Sequence, residues 1–358
     1  MSFLLQSEAS LRRPSRKPSN SLTSVNSPHS SLIISPALPS RRNALRQLGA
    51  HITAGMLAMS GLTLGCSKSN GGSHRQPDLI WGKKGLSDGR LMKPRAMTID
   101  AQDRITIVDI TGRLQVFDRD GVFLTGWRTP AAANGRPTGL GTGQDGSLLV
   151  ADTHYFRILI YSPAGTLQTA RTIGGEFGEG PSQFHFVTDV VQDARGHFFA
   201  GQYGLLDQIQ EFSPSGEFVK RWGKQGSDLE SFARPQGLLF DRSGQLWVAD
   251  ACNHRIMVFE VDSERPRLVR SFGSAGSLRG QLRYPYGIAF GLDGSLLVAE
   301  YGNHRVQRFS PSGDSLEIWG RPGNGPGEFA SPWALVIDSR GATHVLDTLN
   351  HRVQRFAA

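Results

Sequence analysis

The sequence predicts an all-β fold, a ring of six four-stranded antiparallel blades, and three observations predict it. Short apolar runs alternate with tight turns through most of the 358 residues, which include 43 Gly. One unit of sequence recurs at intervals of 43, 50, 48, 50 and 47 residues, spacings typical of β-propellers and solenoids. The last unit ends one strand short, while Asp78–Gly82 is a strand with no blade before it.

The repeat is read from two markers. The end of the second strand carries Asp109, Asp152, Gln202, Asp250, Glu300 and Asp347. The end of the fourth carries Trp81-Gly82, Trp127, Gly174-Gly175, Trp222-Gly223, Phe272-Gly273 and Trp319-Gly320. The fourth unit shows the elements in order. Gly237 to Asp241 is an apolar run suited to a buried inner strand. Asp241 to Gly244, "DRSG", is a tight turn, and Gln245 to Asp250 is the second strand. Arg255 to Phe259 and Leu268 to Gly273 are the third and fourth. Turns between third and fourth strands recur as "DRDG", "SPAG" and "SPSG", where Pro presets φ and Gly takes the position other residues avoid. Pairing of Leu79–Trp81 with Val353–Phe356 would complete the final blade and close the ring, removing open sheet edges.

Three units carry nearly the same words: "VADACNHRIMVF", "VAEYGNHRVQRF" and "VLDTLNHRVQRF". These resemble the NHL repeat, and the resemblance runs over residues 78–358. It implies a six-bladed β-propeller and no single activity, since members include RNA-binding domains, surface sensors and a zinc-dependent amidating lyase. His254, His304 and His351 recur one per blade, so rotation about the axis keeps them on the order of ten ångströms or more apart, too far to share a metal. Each is expected to cap its own loop. Arg157, Arg255, Arg305 and Arg352 are expected to bridge to carboxylates or carbonyls, and Asp250, Glu300 and Asp347 to satisfy loop amides.

A specific site on such a scaffold should stand where the repeat varies. Each inner strand begins with Pro-x-Gly or a relative, and the x residue is expected at the axial mouth: Arg95, Thr138, Thr188, Gln236, Tyr286 and Trp333. None is His, unlike the zinc-holding axial positions that the resemblance to the amidating lyase branch implies. None is acidic, unlike the axis of calcium-dependent lactonase propellers, and Ca²⁺ takes six to eight oxygens. Asp189, in place of the usual Gly, is the one carboxylate beside the ring. No metal and no cofactor are therefore expected. Arg95 is expected to attract a carboxylate or phosphate, with Tyr286 and Trp333 stacking an apolar or sugar ring. The third unit departs furthest: Val187, Asp189 and Gln202 replace Pro, Gly and the acid, and "YGLLDQ" replaces the Asn-His-Arg loop after His185. Cys252 is expected to be a small buried thiol.

The formal charge of +8 sits in the leader, where residues 1–76 hold nine Lys/Arg and one acid; residues 77–358 are balanced at 30 of each. A neutral main domain gives no electrostatic case for a nucleic-acid partner. Residues 1–39 are basic, Ser/Pro-rich and aperiodic, which predicts disorder. Residues 40–66 resemble a twin-arginine export signal around Arg41 and Arg42, and end in "LTLGC", a candidate lipobox with Cys66 as the lipidation site. Residues 67–77 are a linker. The expectation is an exported monomeric propeller, in the periplasm or cell envelope, touching membrane only through a lipid at Cys66. It would bind a protein, small molecule or glycan as a scaffold, and the reading leans away from an enzyme without deciding it. The alternative is a propeller hydrolase or lyase acting at the axial mouth.

Overall fold

The structure, a computed structural model, describes residues 75–358. The leader, Arg41, Arg42 and Cys66 lie outside the described residues. Within them, twenty-four strands form six four-stranded sheets, each antiparallel throughout. Five blades are consecutive in sequence: 94–128, 139–174, 186–222, 235–272 and 285–319. The sixth takes three strands from 334–356 and its outer strand from Leu79–Trp81, with Leu79 opposite Arg355 and Trp81 opposite Val353.

Each blade is buried on both faces, so its core lies between it and its neighbours. Six clusters of buried apolar residues result, one at each blade-to-blade interface. At the junction of the sixth and first blades, Trp81 packs on Phe117 with ring centroids 4.8 Å apart, over Met97, Ile105, Leu346 and Val353. Ion pairs stitch the same seam on the face away from the mouth: Arg119 with Asp338 at 2.7 Å, Arg355 with Asp78 at 2.8 Å and with Asp120 at 2.5 Å. At the axis the inner strands nearly touch. A Cβ on Gly287 would lie 2.6 Å from Ala334 Cα, and one on Gly237 would strike the carbonyl of Tyr286. Small residues at this register let the ring close to six blades.

The Asn-His-Arg words are joints. Arg305 donates from Nε to Glu300 at 2.5 Å and from its terminal nitrogens to the carbonyls of Ser277 at 2.5 Å and Gln281 at 2.9 Å. Asn303 Nδ2 donates to the Gly276 carbonyl at 2.8 Å. Arg and Asn thus hold the segment leading into their own blade. His254 and His351 cap the turns of their own loops through the backbone, their N–H groups donating to the Ala251 and Thr348 carbonyls at 3.2 Å, while the imidazole does something further and holds the segment leading into the next blade. The Tyr284 N–H donates to His254 Nδ1 at 3.1 Å, Ser331 N–H to His304 at 2.8 Å, and Lys93 N–H to His351 at 2.9 Å. The reach follows from the backbone: each His sits at positive φ, between 54° and 58°, which turns its side chain out of its own blade.

Three outcomes follow. Trp81→Ala empties a core position at the seam, and thermal melts should show a loss of about 3–5 kcal/mol; deletion of 78–82 should cost more, and unchanged melting of that deletion would contradict closure by this strand. Arg305→Ala leaves the Glu300 carboxyl buried without its cation and should cost about 3–5 kcal/mol in denaturant unfolding. Burial holds the His254 and His351 rings below the usual imidazole range, helped by Arg283 at the first and by Lys84 and Lys93 at the second. The native state then binds fewer protons than the unfolded one. Its stability from these joints is complete above about pH 6.5 and is lost as pH falls through the folded values. His254→Gln, which keeps an acceptor without titrating, should flatten the stability curve between about pH 5 and 7.

Candidate functional site: the axial mouth

Inner strands begin at one end of the ring, and their first residues form its mouth. Arg95, Thr138, Gln236, Tyr286 and Trp333 border an axial cavity of about 60 Å³, with Asp189 one register deeper. Thr188 does not join them. It is buried, and its hydroxyl donates to the Pro235 carbonyl. Thr138 is also turned aside, its Oγ1 lying 2.8 Å from that of Thr153. The expected ring therefore contributes four working side chains, on the first, fourth, fifth and sixth blades.

A second tier, missed in the sequence, completes the wall. Tyr203 and Tyr301 follow the residue that ends the second strand, and Arg136 and Arg234 precede the inner-strand Pro. Tyr286 stacks on Tyr301 with centroids 4.9 Å apart and planes 21° from parallel. Trp333 closes a corner against both, 4.9 Å from Tyr286 and 5.6 Å from Tyr301. Arg234 lies over Tyr203 at 4.6 Å and Tyr286 at 5.5 Å, while its Nε donates to Gln236 Oε1 at 2.9 Å. Arg95 lies over Trp333 at 5.7 Å. The signal was available: the register of Tyr203 and Tyr301 reads Ile110, Thr153, Tyr203, Ala251, Tyr301 and Thr348, variable beside the near-constant acid.

Charge at this mouth is one-sided. Burial lowers the Arg95 pKa, and Arg234 and Arg136 push the same way by repulsion. The nearest acid, Asp207, spends its oxygens on backbone, accepting from the Arg234 N–H at 2.6 Å and the Gly204 N–H at 2.9 Å. Asp207 thus stands in for the missing His of the third blade, holding the lead-in to the fourth with a carboxylate. His185 in turn accepts from the Leu205 N–H at 3.0 Å. The divergent third unit keeps its joints with altered chemistry. Cys252, expected to be buried, is exposed beside the mouth.

Asp189 borders the channel and is partly buried between the inner strands of neighbouring blades. Its Oδ2 accepts the Leu238 N–H of the next blade at 2.9 Å, and no cation pairs with it among the described residues. Burial pushes it up to about 7, against the pull of the Leu238 and Val190 N–H groups.

The chain belongs to the family described as SMP-30/Gluconolactonase/LRE-like region, which matches residues 96–330. Its relatives include proteins named for NHL repeats and amidating monooxygenases. Peptidyl-glycine alpha-amidating monooxygenase A of Xenopus laevis is 35% identical over 225 residues, 60% of this chain and 22% of that protein. The mouse amidating monooxygenase is 27% identical over 62% of this chain and 22% of its own length. This chain thus spans about a fifth of those relatives. Mouse NHL repeat-containing protein 3 is 27% identical over 42% of this chain and 46% of that one. In fold it is similar to a putative gluconolactonase (TM-score 0.58, 13% identity, 79% of this chain and 94% of that one). It is also similar to a streptogramin B lyase (TM-score 0.55, 14% identity, 76% and 95%). Identities this low establish the fold alone.

The resemblance raises a metal, and the donor set does not fit one. The carboxyl and amide groups lining the axial cavity are Asp189 and Gln236, and the Gln236 oxygen already accepts from Arg234, beside three arginines. Among the described residues, no three His, Cys, Asp or Glu side chains group as metal ligands. His254, His304 and His351 each accept from a different blade's backbone and do not converge.

Asp189 also sets a pH dependence. The native state holds its proton more tightly than the unfolded chain does, so its share of stability falls as pH rises from about 4 to about 7. Asp189→Asn should raise stability at about pH 8 by on the order of 2–4 kcal/mol and make no difference near pH 4, read from paired urea melts. An equal effect at both would contradict an ionising buried group.

Proposed function

We propose that this propeller is a binding module whose ligand sits in the axial mouth, displayed by a rigid ring outside the cytoplasm. The observation that carries the reading is the wall of Tyr203, Tyr286, Tyr301 and Trp333 with Arg95 and Arg234 laid over it. Aromatic corners with a few placed polar groups are the usual make-up of a small-molecule pocket. Arg41-Arg42 and the sequence ending at Cys66 support export and a lipid anchor. Fractionation of cells expressing the Arg41→Lys, Arg42→Lys pair tests the first, and fatty-acid labelling of Cys66→Ala the second.

Native mass spectrometry of the full chain against glycan and metabolite libraries tests the binding reading. Ligands retained by the wild type should be lost with Trp333→Ala or Tyr286→Ala; retention by both variants would place the site elsewhere.

A second reading, hydrolase or lyase chemistry at the same mouth, rests on Asp189, a carboxyl at the channel with the proton affinity of a general acid or base. The names gluconolactonase and lyase among similar folds are in keeping with it. Turnover of a lactone panel that Asp189→Asn abolishes would favour this reading over simple binding.

A further inference from the structure

Resting on the binding reading, we infer that the mouth takes an organic anion, a carboxylate or phosphate carried on a ring, with Arg95 as a built-in cation. The contrast with the other arginines makes the case. A guanidinium has five N–H donors. Arg113, in the first blade, gives its own to the carbonyls of Leu86, Ser87, Gly85 and Arg90 and to Asp109 at 2.6 Å. Arg255, Arg305 and Arg352 are satisfied in the same manner. Among the described residues Arg95 makes no hydrogen bond and no ion pair, only its contact over Trp333.

It is also partly buried and stands near two more arginines, Arg136 and Arg234, neither of which pairs with a carboxylate among the described residues. Both nearby acids are engaged: Asp207 by the Arg234 and Gly204 N–H groups, Asp189 by that of Leu238. Converging like charges with unspent donors raise the energy of the empty mouth. An anion relieves that repulsion and takes up the donors, and a fork-shaped guanidinium suits a carboxylate or phosphate. The Trp333 indole adds a buried Nε1–H without a partner. The corner of Tyr286, Tyr301 and Trp333 supplies flat faces at 67° and 83° to one another, which receive a ring rather than a bare ion. A divalent cation would meet three guanidinium groups, so the same charge that attracts the anion repels a metal.

The test follows the Trp333 indole N–H by NMR in the full-length protein, assigned through Trp333→Phe. Benzoate, phenyl phosphate and glucuronate are titrated against benzyl alcohol and glucose. The anions should shift that signal, with or without a chelator, and should weaken as salt is added. Arg95→Gln should reduce their affinity about tenfold or more. It should leave the melting temperature equal or higher, whereas Arg305→Gln lowers it. Equal shifts from the neutral compounds would overturn the anion assignment while leaving a mouth-binding module in place. Anion binding that persists unchanged in both Trp333→Phe and Arg95→Gln, read by calorimetry, would sink the mouth reading itself. No response to any anion, or an Arg95→Gln melt as low as that of Arg305→Gln, would make Arg95 a structural arginine and end the inference.

Discussion

The interaction on which this molecule depends is a single backbone N–H in the segment leading into an inner strand, accepted by a side chain from the preceding blade, at four of the six junctions. Ring folds have no consecutive hydrogen-bonded ladder between blades, so neighbouring sheets are joined by apolar packing, which is non-directional. A directional bond at these junctions fixes height and rotation. Four such bonds are plain: Lys93 to His351, Arg234 to Asp207, Tyr284 to His254 and Ser331 to His304. Two residues beyond each donor stands a mouth residue: Arg95, Gln236, Tyr286 and Trp333. The joint therefore also positions the site. At Thr188 the lead-in is held another way, through His185 to the Leu205 N–H, and the Thr side chain turns into the interface.

This arrangement gives a structural use to a motif rich in chemically capable groups. A buried carboxylate, an Asn, a His and an Arg within six residues have the ingredients of a metal or acid–base centre. In three dimensions each group is spent on carbonyls and amides of its surroundings. Asp250 and Asp347 are fully buried and bonded to Arg255 and Arg352 at 2.8 and 2.7 Å. Burial pushes both carboxyls upward while the arginines pull back. Such pairs hold only when the remaining donors are satisfied as well, which is what the loop carbonyls do.

The fold was legible because it is periodic: blade number, strand order and the closing role of Leu79–Trp81 all follow from one repeating pattern and its ends. The mouth was half legible. Arg95, Gln236, Tyr286 and Trp333 stood out as variation at a fixed register, yet Thr188 at that register faces inward. The register shift beside Thr188 recurs beside Arg95 and Gln236, so what turns Thr188 inward is its hydroxyl, which finds the Pro235 carbonyl of the next blade. Periodicity does not report such a bond. Tyr203, Tyr301 and Arg234 were hidden for a different reason: they belong to loops whose reach over the axis is set by neighbouring blades. Cys252 read as a buried thiol because free Cys is usually a small core residue, but in the short turn after the second strand its side chain faces outward.

The third blade shows how far such a scaffold tolerates change when the joint survives. Replacing the imidazole by the Asp207 carboxylate keeps an acceptor for the Arg234 N–H but adds a charge next to the mouth. Replacing Gly by Asp189 puts a second carboxyl between inner strands that elsewhere admit only Gly or Ala. Burial raises both groups' proton affinity, so neither delivers a full negative charge cheaply. The arginines around the mouth are thus left with little to neutralise them from within the protein. A fold that spends Arg255, Arg305 and Arg352 on its own carboxylates and carbonyls, and leaves Arg95 without a hydrogen bond among the described residues, has separated its structural charges from its binding charge.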